Sequence, residues 1–119
     1  MKSKKQPIDL DFLRGIIDND LEFEKELFAI FVENANQNIA KMQDAVNNSD
    51  GNGWYMASHA FKGSSASIGA FNLSKILEYA QNHQKETFDE KIKILDQVKN
   101  EFQTVSDFIH KEILGNPLA

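Results

Sequence analysis

His59 is the residue of this sequence whose surroundings best suit nucleophilic chemistry. Lys62 and Gly63 follow it at three and four positions, which is one turn further along a predicted helix. An unprotonated imidazole nitrogen is a competent nucleophile near neutral pH, and a neighbouring ammonium group stabilises the oxygens of a phosphoryl group during transfer. These residue types at this spacing predict a phosphoryl acceptor.

A helical wheel points His59 away from the core, because successive residues of a helix advance by about 100°. The side chains opposite His59, which are predicted to be buried, are Trp54, Ala57, Phe61, Ser64 and Ile68. The side chains predicted to share its outer face are Tyr55, Met56, Lys62, Gly63 and Ala66. His59 is thus expected to be exposed on a patch of small and apolar side chains, with one cation beside it.

Gly63 requires an explanation, because glycine inside a helix costs about 1 kcal/mol relative to alanine. One explanation is that its missing side chain leaves room for a partner to approach the imidazole. The other is close packing against a second helix, or simple tolerance. Periodicity alone leaves both open.

The charges are distributed unevenly around the candidate site. The 27 residues from Gly51 to Leu77 contain two lysines and no carboxylate, where the chain-wide frequency would give about four. Such a gap favours an anion, although chance or coverage by neighbouring helices would also explain it. The segment from Asp9 to Asp50 carries ten carboxylates and three cations, which indicates a solvated surface or a role in partner discrimination.

The composition excludes several other kinds of chemistry. The chain has no cysteine, which excludes disulfides and thiol catalysis and suits the cytoplasm. The net charge of −5 argues against nucleic-acid binding. No apolar run approaches the roughly 20 residues of a membrane span, and the basic start lacks the apolar stretch of a signal peptide.

The remaining nucleophiles and ligands have no catalytic context. His83 and His110 lack a following lysine and glycine, and the three histidines are too scattered for a metal triad. Ser64 and Ser65 lie in no known serine-nucleophile motif, and Ser64 is expected to pack inward. No nucleotide-binding loop is visible, so the phosphoryl donor must be another molecule, most simply a protein.

Helical periodicity dominates the whole chain and predicts five helices. They are expected to begin near Asp9 or Asp11, after an Asn19 cap, at Trp54, near Asn72 and after a Thr87 cap. Residues 47–53 form a predicted loop, Gly69 ends the third helix, and the glycine and proline of residues 115–117 end the last one.

The predicted fold is an all-α, antiparallel four-helix bundle with an additional short N-terminal helix that caps one end. One domain is expected to span residues 1–119, with flexible ends at 1–7 and 115–119. A monomer is the expected state. The sequence favours a free-standing protein, without excluding a part of a larger kinase.

The run from His59 to Ala70 resembles the signature of histidine-containing phosphotransfer (HPt) domains. That signature is a histidine, any two residues, lysine and glycine, then small residues and a later glycine. The likeness extends through Leu73, Leu77 and the pair Gln81-Asn82, and it is strong over about residues 57–82.

The resemblance implies roles for particular residues. His59 would accept the phosphoryl group of an aspartyl phosphate on a receiver domain and pass it to another receiver. Lys62 would contact the phosphoryl oxygens, Gly63 would leave room for the receiver, and Gln81 would hold the second nitrogen of the imidazole. The wheel places Gln81 about 40° from Leu77, so this contact is feasible, although a flanking polar residue would fit too.

The resemblance also implies partners and a docking patch. Response-regulator receivers or a hybrid sensor kinase are the expected partners, and magnesium is expected on the receiver, with no cofactor or metal on this chain. Docking is assigned to Tyr55, Met56, Gly63 and Ala66, with Lys85 as a further cation. Leu13, Ile16 or Ile17 of the first helix could contribute, but the sequence does not separate docking from packing in the core. The alternative function is a helical adaptor that binds receiver or kinase domains without accepting phosphate. An autonomous kinase or hydrolase is not expected.

Overall fold

The computed structural model describes residues 6–115, and within them all regular structure is helical. The helices are α1 (Leu10–Ile16), α2 (Leu21–Asn47), α3 (Gly51–Ser67), α4 (Phe71–Gln81) and α5 (Phe88–Phe108), and α5 continues as a π-helical segment over Ile109–Leu114. The all-α prediction is confirmed. The flexibility predicted for residues 1–5 and 116–119 lies outside the described residues, while Pro7 is half-buried and Gly115 ends the last helix with a φ of 72°.

Short polar side chains set where four of these helices begin. Asp9, Asp20, Asp50 and Thr87 each accept a hydrogen bond from the backbone N–H three residues later, at 2.9–3.2 Å. Each bond satisfies a donor that the first turn of a helix leaves without a partner. The predicted Thr87 cap is confirmed.

Two predicted helix starts are wrong. Asp20 caps α2, not Asn19, which lies in the connection with a φ of 57°. The third helix begins at Gly51 and not at Trp54, because Asp50 caps it through the N–H of Gly53. The connection predicted over residues 47–53 is therefore only three residues long.

The helices pack as neighbours around one core. α2 packs against α3, α3 against α4, α4 against α5, and α5 against α2. Three phenylalanine rings meet between them with centroids 6.2–6.3 Å apart, and they belong to Phe31, Phe61 and Phe102. Because α3 contacts two neighbours, it buries a wide arc. Ser58 and Ser65 are fully buried, whereas Ser64, predicted to pack inward, is only half-buried.

Trp54 joins the start of α3 to the end of α4. Its side chain is fully buried, and its indole N–H donates to the carbonyl oxygen of Ala80 at 2.7 Å. The Nζ atom of Lys91 lies 5.5 Å from the centre of the ring, within the range of a cation–π contact. The hydrogen bond from Trp54 to Ala80 fixes the position of α4 relative to α3 at the residue directly before Gln81.

The N-terminal segment is attached to the turn between α3 and α4. The N–H of Asp9 donates to the carbonyl oxygen of Gly69 at 2.9 Å. Ile8, which precedes Asp9 in the sequence, and Leu13, which follows it, are both buried. Gly69 has a φ of +86°, and a Cβ atom there would lie 2.8 Å from the Asp9 carbonyl oxygen. Only glycine fits this turn without strain.

An ion pair between α1 and α2 was not predicted from the sequence. Arg14 donates from Nε and Nη2 to the two carboxylate oxygens of Glu24, at 2.7 and 3.0 Å. Glu24 is only 3% exposed. Hydrogen bonding to Glu24 raises the pKa of Arg14 above its ordinary value. Because the pKa of Arg14 is higher in the folded state than in the unfolded state, its charge stabilises the fold at every lower pH. This stabilisation is lost only when a strongly alkaline pH rises through the folded-state pKa.

Replacing Arg14 with alanine is expected to lower the free energy of unfolding by about 1 to 3 kcal/mol, because the buried Glu24 carboxylate loses both of its charged donors. Urea unfolding at neutral pH measures the change. Lys25→Ala is the control, since Lys25 is exposed on α2 beside Glu24, and it should change stability by less than about 0.5 kcal/mol. Equal losses in the two variants would contradict a stabilising role for the ion pair.

None of the helices within residues 6–115 is both long enough and apolar enough to span a membrane.

Candidate functional site

His59 lies near the middle of α3, on the surface of the bundle. Its side chain is exposed, while Trp54, Ala57 and Phe61 on the opposite face of the same helix are buried. The structure therefore orients this histidine as the wheel predicts. Its imidazole is accessible to a second molecule.

Gln81 at the end of α4 holds one nitrogen of the imidazole. Its Oε1 atom lies 2.9 Å from Nδ1 of His59. An amide oxygen only accepts hydrogen bonds, so this contact requires the proton on Nδ1. In the neutral imidazole the other ring nitrogen, Nε2, then carries the lone pair, and this form of the ring can act as a nucleophile.

Tyr55 lies one turn before His59, and its ring is almost parallel to the imidazole. The two ring centres are 5.8 Å apart and the planes differ by 9°. Tyr55 is half-buried. Two groups thus adjoin the imidazole: Gln81 is hydrogen-bonded to one nitrogen, and the Tyr55 ring is stacked nearly parallel to it.

Gly63 lies one turn after His59 and leaves open space. A Cβ atom added there would have no atom within 4 Å outside its own helical surroundings. Close packing against a second helix within residues 6–115 is therefore not the reason for the glycine. The space remains available to a molecule that approaches the imidazole.

Replacing Gly63 with alanine is expected to raise the free energy of unfolding by about 0.5 to 1 kcal/mol, since the helix gains propensity and the new methyl group meets nothing. Gly69→Ala is the matched control and should destabilise, because its φ is positive and its Cβ would strike Asp9. Urea unfolding of both variants gives the two signs. A loss of stability in Gly63→Ala would contradict the open site.

Lys62 supplies a positive charge on the same segment. It is half-buried, and its backbone carbonyl accepts a hydrogen bond from the Ser74 hydroxyl of α4 at 3.2 Å. Within residues 6–115, no carboxylate forms an ion pair with Lys62. Its charge therefore remains available to an incoming anion.

The comparisons with known proteins identify the family. The model of the Hpt domain family matches residues 26–108, which include α3, α4, α5 and most of α2. The chain belongs to the Hpt domain family. No curated protein and no solved structure matched the chain. Hpt domains are helical phosphocarriers that take part in phosphorelays and interact with receiver domains and kinases.

The surface around the histidine of this Hpt domain differs in part from the predicted docking patch. Met56 is 61% exposed, and Ala66 is half-buried. Leu13 is only 2% exposed and belongs to the core, so its assignment to docking is wrong. Ile17 is half-buried against the core, whereas Ile16 is 64% exposed.

An apolar pair at the end of the Hpt bundle was missed by the sequence reasoning. The rings of Phe12 in α1 and Phe71 in α4 meet edge to face with centres 5.0 Å apart, and both are partly exposed. Two apolar residues at the starts of separate helices give no signal of this contact in the sequence. Lys85, the further predicted cation, is exposed between α4 and α5.

The other two histidines of the Hpt domain share one feature with His59. Nδ1 of His83 lies 2.6 Å from the carbonyl oxygen of Tyr79, and Nδ1 of His110 lies 2.9 Å from that of Ser106. These contacts also place the proton on Nδ1, but neither residue has a lysine and a glycine one turn later. Within residues 6–115, no three histidine, aspartate or glutamate side chains are placed to hold a metal ion.

Proposed function

We propose that this Hpt domain accepts a phosphoryl group on Nε2 of His59 from the aspartyl phosphate of a receiver domain, and passes it to another receiver. The observation that carries the proposal is the contact between Gln81 and Nδ1, because in the neutral imidazole of the exposed His59 it leaves the lone pair on Nε2. The open space at Gly63 and the charge of Lys62 support it.

The proposed transfer requires no base on this chain. The lone pair of Nε2 attacks phosphorus, and the P–O bond to the receiver's aspartate breaks with its electron pair leaving on the carboxylate. Nδ1 keeps its proton and its bond to Gln81, so the ring becomes an imidazolium. Lys62 offsets charge on the phosphoryl oxygens, and transfer to the next receiver is the same step in reverse.

We propose that the chain acts in a cytoplasmic phosphorelay. Magnesium belongs to the acidic site of the receiver, and the Hpt chain acts as a monomer without a cofactor or autonomous kinase or hydrolase activity. We also propose that α2 to α5 run antiparallel as a four-helix bundle, which is supported by their closed order of neighbours and by connections of three to six residues.

The test incubates the purified chain with a panel of receiver domains that carry labelled phosphate in the presence of magnesium. The expected result is transfer of label to the chain in a linkage that is labile in acid and stable in base. Receiver binding without any transfer would favour the adaptor function instead. Consumption of ATP by the chain alone would favour an enzyme.

A further inference from the structure

We propose that Tyr55 is a positioning residue for His59, which fixes the plane of the imidazole and stabilises the positive charge that the ring carries while phosphorylated. This inference rests on the proposed function. It deepens the role of Tyr55 beyond the docking surface to which the sequence assigned it.

The geometry around the imidazole supports this role of Tyr55. The hydrogen bond to Gln81 restrains Nδ1, but a single hydrogen bond tolerates some rotation of the imidazole about its Cβ–Cγ bond. The nearly parallel phenol ring of Tyr55, at 9° and 5.8 Å, restricts this turning, because a rotated imidazole would lose its contact along the ring face. Gln81 and Tyr55 together therefore fix the direction of the Nε2 lone pair.

The charge of the phosphorylated ring also supports this role of Tyr55. When Nε2 carries the phosphoryl group and Nδ1 keeps its proton, the imidazole ring is positively charged. The face of an aromatic ring attracts a cation whose distance from the ring centre is within about 6 Å, and the two rings here are 5.8 Å apart. The attraction is smaller for the neutral ring, so Tyr55 favours the phosphorylated state over the free one.

The decisive experiment loads the full chain with phosphoramidate, a small phosphoryl donor that needs no protein docking. Loss of phosphohistidine is then followed by phosphorus NMR for the wild type, Tyr55→Phe and Tyr55→Leu. As the P–N bond breaks the ring becomes neutral and the cation–π contact is lost. We expect Tyr55→Leu to lose phosphate about two- to fivefold faster than the wild type, a factor typical of an exposed cation–π contact.

Phenylalanine keeps the aromatic face, so Tyr55→Phe is expected to behave like the wild type. Contacts between the two rings should appear in proton NMR spectra of the unphosphorylated wild type and Tyr55→Phe. The role of Tyr55 would be overturned if phosphohistidine had the same lifetime in the wild type and Tyr55→Leu. It would also be overturned if the Phe and Leu variants lost phosphate equally fast.

The same experiment separates this inference from the proposed function. A folded wild type that shows the stacked rings but takes no phosphate from phosphoramidate or any receiver would overturn the proposed function, and the stabilisation by Tyr55 with it. A wild type that takes phosphate with no dependence on the aromatic ring would overturn only the inference about Tyr55. Slower transfer from receivers by Tyr55→Leu with an unchanged lifetime would assign Tyr55 to docking alone.

Discussion

Replacing His59 with glutamine is expected to reduce the transfer of label from a phosphorylated receiver to the background of the assay. The glutamine side chain is polar and of similar reach, but its amide nitrogen has no lone pair free for attack on phosphorus. Because His59 is exposed, the variant should keep its fold, with a change in the free energy of unfolding of less than about 0.5 kcal/mol. Acid and base treatment of the labelled protein, followed by gel autoradiography, measures the effect.

The other histidines provide matched controls for this prediction. His83→Gln and His110→Gln remove an imidazole whose Nδ1 contacts a backbone carbonyl, without touching the segment of Lys62 and Gly63. Both should accept label like the wild type. Full labelling of His59→Gln would assign the phosphoryl group to another residue, and a loss in all three variants would indicate a general disturbance of the fold.

Replacing Trp54 with alanine is expected to lower the free energy of unfolding by about 3 to 5 kcal/mol, the largest loss of stability predicted for this chain. The fully buried indole is removed, and with it the hydrogen bond from its N–H to the carbonyl oxygen of Ala80. Since a small domain is stable by only about 5 to 15 kcal/mol, much of the fold's stability would be lost. Trp54 is the only tryptophan, so the alanine variant has no tryptophan fluorescence. Circular dichroism in urea should therefore follow its unfolding.

Trp54→Phe separates the two parts of this effect. Phenylalanine keeps most of the apolar volume but cannot donate to Ala80, whose carbonyl still accepts from the backbone N–H of His83 at 3.1 Å. The expected loss is therefore that of one hydrogen bond, about 0.5 to 1.5 kcal/mol. If the alanine variant were no less stable than the phenylalanine variant, the buried indole would contribute little to the core. That outcome would contradict the packing described for α3 and α4.

The sequence was most informative about features that depend on a single helix. The outward direction of His59 follows from the periodicity of a single segment, and it needs no knowledge of the neighbouring helices. The wheel also allowed the contact between Gln81 and His59, because Gln81 lies at the edge of an apolar stripe and helices joined by a short turn pack together. The roles assigned to Lys62, Gly63 and Gln81 in transfer stay predictions.

The sequence was least informative about features that depend on how two helices pack together. Glu24 reads as a surface carboxylate, and its burial depends on Arg14 of a different helix. Leu13 is apolar whether it docks a partner or fills the core, so only its packed position separates the two. The early start of α3 was missed because Gly51 and Gly53 have low helix propensity, which the Asp50 cap offsets.

The hydrogen bond between Asp9 and Gly69 bears on where the folding unit ends. The family match begins at residue 26, yet the turn that connects α3 to α4 is bonded to a segment seventeen positions before that limit. Ile8, Leu13, Ile109 and Ile113 are buried, and all four lie outside the matched range. A fragment cut at residues 26 and 108 would keep every group of the proposed site and lose both ends of its hydrophobic core. The part of this chain that defines its family is thus smaller than the part that must fold to support it.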